Sequence, residues 1–118
     1  MQKEQRLRRR KDFAAVYRQG RVQSSQLLVV RVLPNDSQVS RFGFVASKVV
    51  GGAVVRNRVK RRLREAARRL AVRDGFDIVV GARKPAADAG FEALSSALAS
   101  LAERTGVLAQ EPASRETT

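Results

Sequence analysis

Residues Val54–Leu70 read VVRNRVKRRLREAARRL. At about 100° per residue, Val59, Leu63, Ala66 and Leu70 fall on one apolar stripe. That period predicts a long helix from near Ala53–Arg56 to about Arg73, preceded by a bend at Gly51-Gly52 and ended by Asp74-Gly75. Asn57, Arg61, Arg64 and Arg68 lie opposite the stripe, with Arg58, Arg62 and Arg69 beside them, so the outer surface is expected to carry a double file of guanidinium groups. Glu65 is the only acid in the segment. The like-charge pairs Arg58/Arg62 and Arg64/Arg68, four residues apart, each cost about 0.2–0.5 kcal/mol. Arg56 and Arg58 near the helix start oppose the macrodipole by about 0.3–1 kcal/mol each. Every one of these terms destabilises the isolated helix, and every one reverses sign against a polyanion. A merely solvated face is the commoner meaning of a charge run, but such a face mixes signs.

Working outward, Leu27–Leu33 (LLVVRVL) has the composition of a strand. Pro34-Asn35-Asp36-Ser37 is a turn, and Val39–Ala46 a second strand, so the two are expected to pair as an antiparallel hairpin. Lys48–Val50 is a candidate for a further short strand. Phe76–Ala82 (FDIVVGA) reads as another strand and Pro85–Gly90 as a loop. Phe91 to about Glu103 is expected to form a helix, with Phe91, Leu94, Leu98 and Leu101 on one stripe. Upstream, Phe13, Val16 and Tyr17 mark one face of a short helix from about Lys11 to Arg18, with Gly20 as its terminator. The expected fold is a small α/β (α+β) sandwich, a sheet covered by helices, in one domain over residues 10–104. A flexible basic segment, 1–9, precedes it, and a disordered tail, 105–118, follows.

Composition narrows the function. The chain has 118 residues, 43% of them hydrophobic, enough for a core that must be mostly aliphatic because only 5% are aromatic. It has no Cys and no His, which removes disulfides, thiolate or imidazole metal sites and Cys/His nucleophiles together, and fits a reducing cytoplasm. No secretory signal or membrane-spanning stretch is evident. Lys plus Arg number 24 against 11 acids, a net charge of +13. That charge is concentrated: residues 1–21 carry net +6 and residues 56–73 net +8, whereas residues 74–118 carry net −3. Two short basic segments on a small domain look like the footprint of a polyanion. Glycine-rich phosphate loops, zinc-finger spacing and the aromatic motif of RNA-recognition domains are all missing. The acids lie mostly in the C-terminal third, away from the basic segments, so no catalytic residue and no metal ligand is assigned to the chain.

Individual residues carry two readings each. Phe13 and Tyr17, set among Arg10, Lys11, Arg18 and Arg21, either dock their helix on the sheet or line a groove in which unpaired bases stack, worth about 1–3 kcal/mol per base. Arg31 interrupts an apolar strand, as a surface residue or as part of that groove. Lys48, just before the glycines, is a phosphate contact or a loop lysine.

The stretch Arg41–Glu65, RFGFVASKVVGGAVVRNRVKRRLRE, resembles the central region of the bacterial ribonuclease P protein component. The shared pattern is Arg56-Asn57-Arg58 followed by Val59-Lys60-Arg61, with Ser47-Lys48 upstream. RLRRRKDFAAVYRQGR at Arg6–Arg21 and FDIVVGARKPA at Phe76–Ala86 are similar to the family in the right order. One departure is Val49, where many members carry a second Lys. The resemblance implies an α/β sandwich with a left-handed crossover, against the usual rule. It implies a large catalytic RNA as partner, holding the active-site Mg²⁺, with no cofactor on the protein. It further implies that Arg56, Asn57, Arg58, Lys60, Arg61, Arg62, Arg64 and Arg68 contact that RNA. Phe13, Tyr17, Arg31 and Lys48 would line a cleft for the single-stranded 5′ leader of precursor tRNA. The protein is expected to be cytoplasmic, monomeric alone and off the membrane. The competing readings are a structural or ribosomal RNA-binding protein, a DNA-binding regulator with the basic helix in a major groove, and a binder of anionic membrane. The narrowness of the apolar stripe weighs against the last, because such a stripe fits a protein core.

Overall fold

The strand FDIVVGA forms as expected, and it lies in the middle of the sheet. A computed structural model describes residues 5–109. The sheet has four strands, β1 (Arg21–Ser24), β2 (Leu28–Pro34), β3 (Arg41–Ala46) and β4 (Phe76–Ala82), in the order β1-β2-β4-β3. β4 pairs antiparallel with β2 and parallel with β3, and β1 pairs antiparallel with β2. Three helices cover the sheet: α1 (Arg10–Gln19), α2 (Ala53–Arg68) and α3 (Phe91–Thr105). A 3₁₀ turn, Lys84–Asp88, joins β4 to α3. The α+β sandwich is therefore present, with α2 as the crossover between the parallel strands β3 and β4.

Alternation along the strands divides the molecule into two faces. Leu28, Val30 and Val32 of β2, Phe42 of β3, and Ile78 and Val80 of β4 point to one side. There they meet Val59, Leu63, Ala66 and Ala67 of α2 and Leu94, Leu98 and Leu101 of α3 in the main core. Val79 points the other way, to a smaller cluster with Leu7 and Val16, flanked by Phe13, Leu33 and Val45. Beside that cluster Asp77, buried, takes two hydrogen bonds from Arg41 at 2.8 and 2.7 Å and one from Asn35 at 2.8 Å. Asp12 of α1 lies 3.5 Å from the same guanidinium. The hydrogen bonds to Asp77 raise Arg41 above the usual arginine value, outweighing the lowering effect of its partial burial.

Several expectations are corrected. β2 and β3 do not form a hairpin, because β4 lies between them. The turn after β2 wraps over the start of β4 instead: the Asn35 N–H donates to the Gly75 carbonyl, and the Phe76 N–H donates to Ser40 Oγ. The real hairpin partner of β2 is β1, whose four residues, RVQS, are largely exposed and have no apolar alternation to announce them. Residues 48–50 form a turn, not a strand. α2 stops at Arg68, so Ala67 and not Leu70 completes its buried stripe. The chain beyond is used for pairing: Arg73 N–H donates to the Val107 carbonyl, Ala109 N–H donates to the Ala71 carbonyl, and Val72 bridges Leu108. The expected tail is thus docked as far as Ala109, with Val107 buried. Likewise Leu7, in the segment expected to be flexible, is buried and donates its N–H to the Phe42 carbonyl. Residues 1–4 and 110–118, the remainder of both expected flexible ends, lie outside the described residues.

Gly20 ends α1, but with an extended backbone (φ −74°), so positive φ is not what the position demands. A Cβ there would lie 2.5 Å from the Val16 carbonyl oxygen and 3.1 Å from that of Val32. Both obstacles are backbone and cannot swing aside. Gly20→Ala is expected to lower stability by about 1–3 kcal/mol, read as a shift of the urea midpoint with the slope unchanged.

Candidate nucleic-acid interface

The cations of α2 separate into three rows, not a double file. Asn57, Arg61 and Arg68 are exposed and point outward, with Arg68 partly engaged by Glu65 at 3.3 Å. Lys60 and Arg64 occupy the flank toward β3, and the Arg64 guanidinium lies 5.7 Å from the Phe44 ring centroid. Arg56, one turn earlier, follows that flank by spacing and is half-buried. Arg58 and Arg62 face the 3₁₀ turn: Arg62 Nη1 donates to the Ala89 carbonyl at 2.9 Å, and Arg58 Nη2 reaches the Ala87 carbonyl at 3.5 Å. Farther along, the Arg69 guanidinium covers the Phe91 ring at 4.7 Å. Arg56 Nε and Arg58 Nε are buried with no hydrogen-bond partner among the described residues.

The second basic segment meets the first in space. Arg6 bridges Phe42, so the N-terminal segment runs along the outer edge of β3. Arg6 and Arg8 then line one pocket together with Lys60 and Arg64. Charge clusters some fifty residues apart in sequence become one basic surface around a sheet edge.

The face under α1 gives the other candidate surface. Cross-strand register places Gly43, Val79, Arg31 and Val22 in one row. α1 lies across this row: a Cβ on Gly43 would meet the Phe13 ring at 2.5 Å, Val16 is buried with Val79, and the Arg31 guanidinium lies 4.6 Å from the Tyr17 ring centroid. The neighbouring row, Val45, Gly81, Val29 and Ser24, is half-exposed to exposed. A Cβ on Gly81 would meet only the Val29 carbonyl, at 3.7 Å, so the space above it is open. This row forms a shelf. Tyr17, 46% exposed, and Arg31 stand at its border. Because β3 and β4 are parallel, their C-terminal ends lie together, which brings exposed Lys48, Arg83 and Lys84 to one end of the sheet. Phe13 is different. It is half-buried, packs over Gly43 and lines the β3-edge pocket. Arg6, Arg8, Phe42, Phe44, Arg83 and Lys84 were not among the site residues expected from the sequence. The basic run at Arg6–Lys11 and the Arg-Lys after β4 were the available signals.

A family model for ribonuclease P matches residues 1–106. The chain belongs to the ribonuclease P protein family. It is 46% identical over 114 residues to the ribonuclease P protein component of Symbiobacterium thermophilum, covering 94% of this chain and 99% of that one. Among solved structures it is similar to the RNase P protein of Staphylococcus aureus, with TM-score 0.81, 29% identity and coverage of 89% of this chain and 98% of that one. It is also similar to the RNase P protein of Thermotoga maritima, with TM-score 0.77, 34% identity and coverage of 84% and 96%. Among the described residues no group of three or more acids could hold a metal ion, and no helix is long and apolar enough to cross a membrane.

The family's basic helix therefore has two kinds of arginine in this chain. Arg62→Ala leaves the Ala89 carbonyl without its donor and is expected to cost toward the lower end of about 1–3 kcal/mol of stability, since the site is only half-buried. Arg61, exposed, has no side-chain hydrogen bond, ion pair or ring contact among the described residues, so Arg61→Ala should stay within about 0.5 kcal/mol. Urea titration of the two variants separates them: equal losses would mean that the Arg62 contact braces nothing.

Proposed function

We propose that this ribonuclease P protein works as the RNA-binding subunit of the enzyme, holding the catalytic RNA on α2 and the N-terminal segment and the 5′ leader of precursor tRNA on the shelf beside α1. The observation that carries this reading is the convergence of both basic segments on one sheet edge, next to an uncovered, mildly apolar sheet surface bordered by Tyr17 and Arg31. Arg56, Asn57, Lys60, Arg61, Arg64 and Arg68 serve the catalytic RNA. Arg58 and Arg62 contribute charge to the same RNA while bracing the 3₁₀ turn. Neutralising phosphates releases counterions, so affinity falls steeply with salt. On the shelf, Tyr17 stacks with an unpaired base, Arg31 stays beside it, and Lys48 meets phosphate at the sheet end. Phe13 supports this arrangement by holding α1 over Gly43.

Hydrolysis and its Mg²⁺ belong to the RNA partner on this reading. Three of the described acids near the basic surfaces are paired with arginines: Asp12 and Asp77 with Arg41, and Glu65 with Arg68. The protein contributes binding and position. It acts in the cytoplasm as a single copy per RNA.

The deciding experiment is cleavage of a precursor tRNA by the cognate catalytic RNA at low Mg²⁺, with and without the protein. Stimulation at the mature 5′ end is expected. A folded protein that leaves an otherwise active RNA unstimulated sinks the reading. Tyr17→Ala should weaken binding of a long-leader precursor by roughly 5- to 150-fold, the equivalent of one lost base stack. Mature tRNA should bind as before, and an equal loss for both substrates would make Tyr17 a packing residue.

A further inference from the structure

One pocket joins the two basic segments. It has a volume of about 420 Å³, in the lower part of the range of about 300–1,000 Å³ typical of small-ligand sites. Its rim is cationic on two sides, Arg6 and Arg8 from the N-terminal segment and Lys60 and Arg64 from α2, and among the described residues no acid lines it. Its floor is aromatic. Phe42 and Phe44 stack with ring centroids 5.8 Å apart and 4° between their planes, and Phe44 is half-buried with the Arg64 guanidinium at its ring. The backbone edge of β3 is also open here, because pairing with the N-terminal segment ends where Leu7 donates to Phe42.

We infer that this pocket binds one unstacked nucleotide of the catalytic RNA, its base against Phe44 and its phosphates between Arg8 and the Lys60–Arg64 flank. The inference rests on the function proposed above and adds to it a site and a base-stacking contact on the RNA-holding surface.

Each part of the chemistry points the same way. Four cations with no described acid among them repel one another in the free protein, and a phosphate relieves that repulsion. Arginine forks grip phosphate oxygens two at a time, and the Arg64 guanidinium can swing off the Phe44 ring to do so, leaving that face to the base. A simple inorganic anion would need the cations but not the aromatic floor. A nucleotide uses both, and an aromatic face accepts any base. Position favours the catalytic RNA over the leader as the source. The pocket opens beside the α2 flank at the outer edge of β3. The shelf lies on the other side of α1, toward the C-terminal ends of β3 and β4.

The test combines binding with cross-linking. Phe44→Leu keeps an apolar side chain but removes the aromatic face. It should lower affinity for the catalytic RNA by roughly 5- to 150-fold, with the salt dependence unchanged, and Phe44→Tyr should restore binding. Arg8→Gln, at an exposed position with no side-chain hydrogen bond or ion pair among the described residues, should lower affinity and reduce the slope of log affinity against log salt by about 1. Ultraviolet irradiation of the complex with catalytic RNA should leave a nucleotide on the fragment Phe42–Lys48. A leader oligonucleotide alone should not. A folded Phe44→Leu protein with wild-type affinity, or an Arg8→Gln protein with an unchanged salt slope, overturns the pocket while leaving the RNA-binding role intact. An adduct formed only with the leader oligonucleotide overturns the source. If wild-type protein fails to bind the catalytic RNA at all, the proposed function fails first and the pocket with it.

Discussion

Burial of β4 on both faces is the constraint on which the rest of the structure depends. Ile78 and Val80 on one side and Val79 on the other are almost inaccessible to water, so neither face of the sheet can be left bare at its centre. α2 and α3 cover most of one face, leaving its β3 edge at Phe44 partly open. On the other, α1 is only ten residues long, about 15 Å. Four strands about 4.8 Å apart span nearly the same distance, so α1 laid across the strands roofs a single row from Gly43 to Arg31. A seven-residue strand runs about 23 Å, roughly twice the width of a helix. Something must remain beside α1. At one end the remainder is sealed by Arg41, Asp77, Asp12 and Leu7. At the other it is the open shelf above Gly81. The candidate leader surface is thus a consequence of covering a wide sheet with a short helix.

The parallel pairing of β3 with β4 requires a crossover, and the crossover is the basic helix. This arrangement explains why the arginines of α2 cannot all be equivalent. A helix packed by Val59, Leu63, Ala66 and Ala67 has two flanks close to its neighbours, and long side chains on a flank must reach something. On one side Arg58 and Arg62 find the carbonyls of the turn after β4; on the other Arg64 finds Phe44. The outermost row, including Arg61 and Arg68, is free of this duty. The electrostatic frustration inferred for the isolated helix is eased on one flank by backbone carbonyls. It persists on the flank toward β3, where the N-terminal arginines add to it and no described acid answers.

How much of this was legible from the residues follows from where each signal resides. The long helix, the apolar stripe of α3 and the short α1 carry local periodicity, the central strand a continuous apolar run, and all four exist. β1 was not legible, because RVQS is an exposed edge whose only reason to be a strand is the backbone of β2. The expected β2–β3 hairpin failed for a related reason. A turn sequence such as Pro34-Asn35-Asp36-Ser37 shows that the chain reverses, but not whether a later strand will enter between its arms. The ends of the domain were read as loose because neither Leu7 nor Val107 belongs to a periodic run. Each is held by a single bridge and one buried side chain. The candidate site was legible by residue type and not by grouping. Tyr17 and Arg31 do meet, but Phe13 faces the β3 edge, and the partnership of Arg6 and Arg8 with Lys60 and Arg64 is invisible without the fold.

β3 ties the two proposed RNA surfaces together. Its outer edge at Phe42–Phe44 borders the basic pocket, Val45 opens onto the shelf, and Lys48 follows its end. From Gly43 to Lys48 the chain advances by no more than about 17 Å, and the strand is held throughout by register with β4. An RNA gripped at the edge and a leader strand lying on the shelf would therefore be held at a separation set by one strand of the sheet, with no hinge between them. A protein without catalytic groups can raise the rate of a reaction in this way. It converts two independent encounters into one fixed geometry, and the advantage is limited by how little the connecting element yields. A strand bonded along its length to the most buried strand of the domain yields very little, and for that reason the burial of β4 bears on function as well as on stability.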